Sequence, residues 1–253
     1  MSLHRLLLLL WFFLLPQHMQ SFDFVSYQRK TTAPATTSAQ YYVGPTTKPD
    51  CDTIVGPLGR RLDEYLLRIF HDKLLEQVHG GGYRNATTTT VSYSDIIQLA
   101  KTLNANHNVL DVQEKALQTL LNMFPSWLPK SYSILFSRPF PLFSARMNAW
   151  ATYMLGHWLM GECQVSDIEI NGTVVPNQGV LVKQCKFLRE SNCASVCVHA
   201  CKLPTQRFFA QHMGLPLLME PNYETFECQF SFGKEPNATT ELAAMSVPCL
   251  ALC

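Results

Sequence analysis

The chain has 253 residues, a formal net charge of +1, 15% charged residues and 47% hydrophobic ones. So even a charge balance excludes the basic footprint of a nucleic-acid binder, and the length allows a core that stands without disulfide staples. The nine cysteines are an odd number, so any monomeric disulfide scheme leaves a thiol over, and a pure disulfide scaffold fits poorly.

At the N-terminus, His4 and Arg5 precede an apolar run from Leu6 to Leu15 that Pro16 closes. This is the build of a secretory signal peptide, too short to stay across a bilayer, and it predicts a signal over residues 1–21 with cleavage after Ser21. Residues 22–56 begin with Phe22. As far as Lys48 they hold one acid, Asp23, against Arg29, Lys30 and Lys48, among many Thr, Ser and Ala. That is a transit-peptide composition. A signal, a Phe and a transit-like stretch together resemble the bipartite presequence of plastids reached through the secretory route, so the expected location is the plastid. The alternative is a secreted protein with a Thr-rich stalk, for which Asn85-Ala-Thr, Asn171-Gly-Thr and Asn237-Ala-Thr supply glycosylation acceptors.

No linker composition interrupts residues 57–253, which are read as one α+β domain, helical over 57–165 and cysteine-rich over 166–253. Leu62, Tyr65, Leu66, Ile69 and Phe70 recur at helical spacing between Arg61 and Val78, and Gly80 to Gly82 stop that helix. Ser94 is expected to cap a second helix that turns Ile96, Leu99, Ala100 and Leu103 inward. Asp111 with Glu114 suggests the start of a third, carrying Leu117, Leu120, Leu121 and Phe124 up to Pro125. Phe140 to Met160 is the most apolar internal stretch, yet it contains Arg146 and His157, and is read as a buried or membrane-skimming helix. The period then changes. Asp167–Ile170, the turn Asn171-Gly172 and Gly179–Phe187 form a hairpin pattern, and Phe226 to Phe232 alternates as a third strand of a small antiparallel sheet.

Seven of the nine cysteines lie between Cys185 and Cys253, with Cys193, Cys197 and Cys201 spaced by four. Thiols so placed read as metal ligands, disulfide partners or inert core residues. On a regular helix Cys193 and Cys201 would stand about 12 Å apart, too far to share one ion at metal–sulfur distances of about 2.3 Å. Either the segment is not one continuous helix, or a pair such as Cys197 and Cys201 acts with Cys185, Cys228, Cys249 or Cys253. His199 is a further candidate ligand and His157 a structural residue. Lys202 and Arg207 are expected to face solvent or headgroups, Pro204 and Pro216 to set turns, and Gly214 to end a helix.

Cys193-x3-Cys197-x3-Cys201 is followed by Lys202, Pro204, Gln206, Phe208-Phe209, Gly214-Leu215-Pro216, Met219, Pro221-Asn222, Cys228, Phe232-Gly233, Pro248-Cys249 and Cys253. With these offsets the segment resembles the plastid β-carotene isomerase family of strigolactone biosynthesis, the dwarf-twenty-seven type. The likeness continues more weakly upstream through Trp158–Gly161 and the Glu169–Gly172 hairpin.

The resemblance implies an isomerase that interconverts all-trans and 9-cis β-carotene with an iron cofactor, mononuclear or iron–sulfur. It implies a carotenoid as partner, with possible peripheral membrane association. A hydrocarbon polyene offers no group for acid–base chemistry, so the barrier to rotation must fall electronically, and thiolates suit the iron that would do this. The candidate ligands are Cys185, Cys193, Cys197, Cys201, Cys228, Cys249 and Cys253, and the candidate carotenoid contacts are Phe208, Phe209, Trp150 and Trp158; no acid, base or nucleophile is assigned. Two other readings stand beside it. One is a non-catalytic plastid carotenoid-binding or iron–sulfur redox protein, the other a secreted disulfide-bonded glycoprotein.

Overall fold

The computed structural model describes residues 56–80 and 91–245. The signal and transit segments, Asn85, Cys249 and Cys253 lie outside the described residues.

Helix α1 (Arg60–His79) lies between Gly59 and Gly80, whose φ angles of 92° and 76° suit glycine at helix boundaries. Helix α2 (Tyr93–Asn106) is capped by Ser92, two residues before the expected Ser94: the Ser92 N–H donates to the Asp95 carboxylate at 2.8 Å. Helix α3 (Val109–Asn122) likewise starts earlier than expected, because the Asn108 side chain, not Asp111, is the cap and accepts the Asp111 N–H at 2.9 Å. Leu74, Ile96, Leu103 and Val112 close a helical core among the three.

After Pro125 the chain restarts as α4 (Trp127–Tyr132), which runs directly into a π-helical segment, Ser133–Ser137. The apolar stretch then forms α5 (Pro141–Leu155), with Pro at its first turn, and a short α6 (His157–Met160) beyond Gly156. Strands β1 (Cys163–Ile170) and β2 (Thr173–Val182) form the expected hairpin, with Asn171 and Gly172 at φ 51° and 78° as a tight turn requires. Lys186–Phe187, expected on the second strand, instead open helix α7 (Lys186–Ser191).

Past α7, a turn at Asn192 leads into α8 (Ala194–Val196), a π segment at Cys197–Lys202, α9 (Leu203–Arg207) and a second π segment at Phe208–Met213. Pro204 sits inside this helical run and not in a turn. It has no N–H to give the carbonyl four residues back, which widens the helix just before it. Gly214, at φ 68°, ends the run as expected. Strands β3 (Leu217–Pro221) and β4 (Cys228–Phe232) complete an antiparallel sheet in the order β1-β2-β4-β3, and α10 (Ala238–Met245) follows. The architecture is α+β. The sheet's inner face, with Val180, Val182, Leu217, Met219, Cys228, Phe230 and Phe232, packs against Leu188, Val196 and Cys197 of the cysteine-bearing helices.

Candidate thiolate centre

Four thiols meet where these layers join. Cys185 opens α7, Cys197 and Cys201 lie one turn apart on the widened π segment, and Cys228 begins β4. All four are free, and together they line a cavity of about 10 Å³ walled otherwise by Leu159, Met160, Phe187, Leu188, Lys202, Met219, Pro221 and Phe230. That volume holds about one water-sized body. The sheet register brings Cys228 to the spot: Val182 pairs with Cys228, and the Cys185 N–H reaches the Phe226 carbonyl at 2.7 Å just beyond.

Burial dominates the electrostatics. It pushes the Cys201 thiol up to about 12, with Cys185 adding to the effect. Cys197 and Cys228 are raised well above the ordinary thiol value by burial and by their sulfur neighbours, against a downward pull from the Lys202 ammonium. Cys185 is raised too, although the backbone N–H groups of Leu188 and Phe187 at the start of α7 favour its thiolate. Burial therefore favours thiols, and a bound cation would reverse that preference. Among the described residues, no group of three or more His, Cys, Asp or Glu side chains already stands at ion-binding separation.

Four residues around the thiols are not among the expected site residues. Lys202, expected at the surface, is 4% exposed and pairs with Glu241 Oε1 at 3.0 Å, because α10 brings a carboxylate over it. Gln206 ties the same carboxylate at 3.2 Å and accepts the Met219 N–H of β3 at 2.8 Å. The Tyr223 hydroxyl is buried beside Cys197 and Cys228 with no hydrogen-bond partner. Tyr93 lies near Cys185 and Cys201, donates to the Leu159 carbonyl at 2.7 Å and carries the Lys186 ammonium 4.0 Å above its ring.

The remaining expected site residues fall elsewhere. Cys193 is disulfide-bonded, and none of the free described cysteines is its partner. His199 is buried against Gln113 on α3, with Gln113 Nε2 3.2 Å from its Nδ1. His157 lies 2.6 Å from the Tyr153 carbonyl through Nδ1, a structural contact as expected, with Cys163 beside it at 3.6 Å. Arg207 reaches the exposed Glu114 at 3.1 Å. Phe208 stacks on Phe124 at 5.5 Å, Phe209 meets Phe232 edge-on at 5.2 Å, Trp150 lies against Tyr153 at 5.7 Å and Trp158 against Phe70 at 5.5 Å. Phe208, Phe209, Trp150 and Trp158 line neither the thiol cavity nor a second cavity of about 40 Å³ beside it, which shares Leu159, Phe187 and Cys201 with the first. Both are far below the several hundred Å³ of a pocket that encloses a large ligand.

Residues 158–241, which hold this thiol centre, match the family described as Beta-carotene isomerase D27-like, C-terminal. The likeness to the D27-type family is thus strongest over this part of the chain. The chain is similar to Beta-carotene isomerase D27, chloroplastic, of Arabidopsis thaliana, with 27% identity over 191 residues that cover 76% of this chain and 71% of that protein. It is also similar to the protein of the same name from Medicago truncatula, with 42% identity over 96 residues, a stretch that spans only 38% of either chain. These D27-type relatives are named chloroplastic, in agreement with the plastid location expected from the presequence, and the secreted alternative finds no support in them. No solved structure matches the chain.

Proposed function

We propose that this protein is a plastid carotenoid cis/trans isomerase, interconverting all-trans and 9-cis β-carotene and so supplying strigolactone biosynthesis, with iron held by Cys185, Cys197, Cys201 and Cys228. The observation that carries this reading is the convergence of four free thiols, from α7, the π segment and β4, on one atom-sized space inside the D27-type domain. The donor chemistry fits, since soft thiolates are the ligands of iron and iron–sulfur centres. When bound, iron would supply the electronic coupling to the polyene that lowers the order of one double bond.

The chain's own residues prepare the place. Lys202 favours thiolate at Cys197 and Cys228, and the α7 amides do so at Cys185. The Tyr223 hydroxyl is a spare donor next to sulfur. Leu159, Phe187, Met219 and Phe230 keep water out. Contact with a forty-carbon substrate requires the wall of Leu159 and Phe187 to part. Phe208, Phe209, Trp150 and Trp158 remain the proposed aromatic contacts. The smallness of the cavities favours one second reading, an iron–sulfur redox protein of the plastid that binds no carotenoid.

The test is anaerobic reconstitution with ferrous iron, followed by all-trans β-carotene in micelles in the dark, with chromatographic separation of isomers. The proposal expects thiolate-to-iron absorbance and 9-cis product without mass change. Iron uptake with no isomer produced favours the redox protein. Isomer production by a chain that takes up no iron refutes the thiolate site and leaves the activity standing.

A further inference from the structure

The corner formed by α4, the π segment Ser133–Ser137 and the start of α5 is built inside out. Its inner face is polar: the Tyr132 hydroxyl and Ser144 Oγ are 2.7 Å apart, Asn148 Nδ2 donates to the Tyr132 hydroxyl at 2.8 Å, and the Ser137 hydroxyl donates to the Met213 carbonyl at 2.6 Å, all buried. Its outer face is apolar. Trp127 and Ile134 are 53% exposed, Leu135 57%, and Phe140 and Leu142 60%, with Phe143 exposed beside them.

These side chains form one surface. Trp127 and Ile134 are two turns apart along a continuous helical run, the Phe140 N–H bonds the Phe136 carbonyl at 2.9 Å, and the Phe136 and Phe143 rings are 6.4 Å apart. Soluble surfaces rarely gather so many large apolar groups, and a patch of this kind marks a docking face.

Charge selects the occupant. From residue 115 to 161 the sequence has no Asp or Glu, while Lys130 and Arg138 are exposed among the apolar side chains. The π segment Phe208–Met213, reached through the Ser137–Met213 bond, also has no acid. Apolar and aromatic side chains interleaved with cations, in a stretch that carries no carboxylate of its own, suit the interface of an anionic bilayer, where Lys and Arg reach the headgroups and Trp sits at the boundary. Among the described residues no helix is long and apolar enough to cross a membrane.

We propose that Trp127, Ile134, Leu135, Phe140, Leu142 and Phe143 form a membrane-docking face that seats the protein on anionic lipid, with Lys130 and Arg138 as its headgroup contacts. This deepens the proposed function, because a carotenoid is drawn from a lipid phase, but its test does not depend on catalysis.

The test uses the full chain and flotation with phosphatidylcholine vesicles made with or without phosphatidylglycerol. Every variant keeps the same N-terminal apolar run, so differences report on the corner alone. Trp127→Ser/Leu135→Ser/Phe140→Ser should lower vesicle partitioning tenfold or more, and Lys130→Glu/Arg138→Glu should remove the preference for phosphatidylglycerol, with unchanged circular dichroism in both. In the unmutated protein, the emission of Trp127, isolated by difference from Trp127→Phe, should be quenched by acyl-brominated lipid. Partitioning unaltered in the triple variant, or Trp127 unquenched on vesicles, overturns the proposal. So does a patch whose substitution only dissociates a dimer in lipid-free buffer. Vesicle binding through this face without isomer turnover would leave the docking face standing while the isomerase reading fails.

Discussion

Replacing Lys202 with methionine tests whether the cation over the thiols is a buried member of a pair. Lys202 is 4% exposed, its ammonium lies 3.0 Å from Glu241 Oε1, and its removal leaves that carboxylate with Gln206 at 3.2 Å. Removing one partner of a buried pair costs about 3–5 kcal/mol. Glu241 keeps a side-chain exposure of 15% and a second donor, which brings the expected loss down to about 2–3 kcal/mol. For a domain of this size that lowers the melting temperature by about 4–12 °C. The double variant Lys202→Met/Glu241→Met buries no lone charge and should lose only about 1 kcal/mol, so it should melt above the single one. Thermal melts of the metal-free protein by circular dichroism give both numbers. The iron affinity separates fold from electrostatics: each variant lacks the cation that favours thiolate at Cys197 and Cys228, so each should bind iron more weakly whatever its stability. A single variant that melts within about 1 °C of the parent, or a double one that melts lower than the single, would refute the buried pair.

Alkaline titration of the metal-free chain should show stability falling above the ordinary thiol value. Burial raises Cys163 and Cys201 from 9 to about 12, so the unfolded chain releases those protons first and the stabilisation, complete below pH 9, is lost as pH rises through 12. On the acid side His199, lowered from 6.5 by burial, contributes stability that is present above 6.5 and lost as pH falls through its lowered value. Melts that rise from pH 9 upward, or a His199→Gln variant with the same acid profile as the parent, would contradict these assignments. Cys193→Ser should keep its iron and lose stability, by about 2–4 kcal/mol for a lost disulfide, whereas Cys197→Ser/Cys228→Ser should lose the iron. Metal analysis of the two proteins separates them, and iron lost with Cys193 alone would place that sulfur in the site. Gly214→Ala should destabilise the helix end, because φ is 68° there and an added methyl runs into the Ser133 side chain. A melting temperature equal to the parent's would show that the turn relaxes.

Patterns that depend on near neighbours were legible in the sequence. The helices of the first half follow from apolar spacing, and the β1–β2 hairpin from Asn171-Gly172, where the turn itself demands the residues. The caps lie two or three residues before the expected ones, since Ser92 and Ser94 are chemically alike and only the bond between the Ser92 N–H and Asp95 decides between them. Helix geometry alone suggests pairing Cys197 and Cys201 with a distant cysteine such as Cys185 or Cys228, but only the sheet register shows how those two reach the same cavity, and nothing in the spacing tells that Cys193 is held in a disulfide. In the sequence Lys202 looks like a surface residue because its partner, Glu241, lies on a helix far along the chain. The inside-out corner was hidden for a related reason. Ser, Tyr and apolar residues mix over Tyr132–Ser137, and a π-helical turn rotates the faces away from the 3.6-residue period.

The measurement that bears most directly on the proposed activity is the approach to isomer equilibrium from both sides. Iron-loaded protein given pure all-trans or pure 9-cis β-carotene in the dark should reach the same mixture, with no net consumption of oxidant or reductant, and Cys197→Ser/Cys228→Ser should slow both approaches without moving the endpoint, since a catalyst lowers barriers and leaves equilibria alone. Shortened apocarotenals, or an isomer ratio that never departs from the starting material while pigment stays bound, would contradict it.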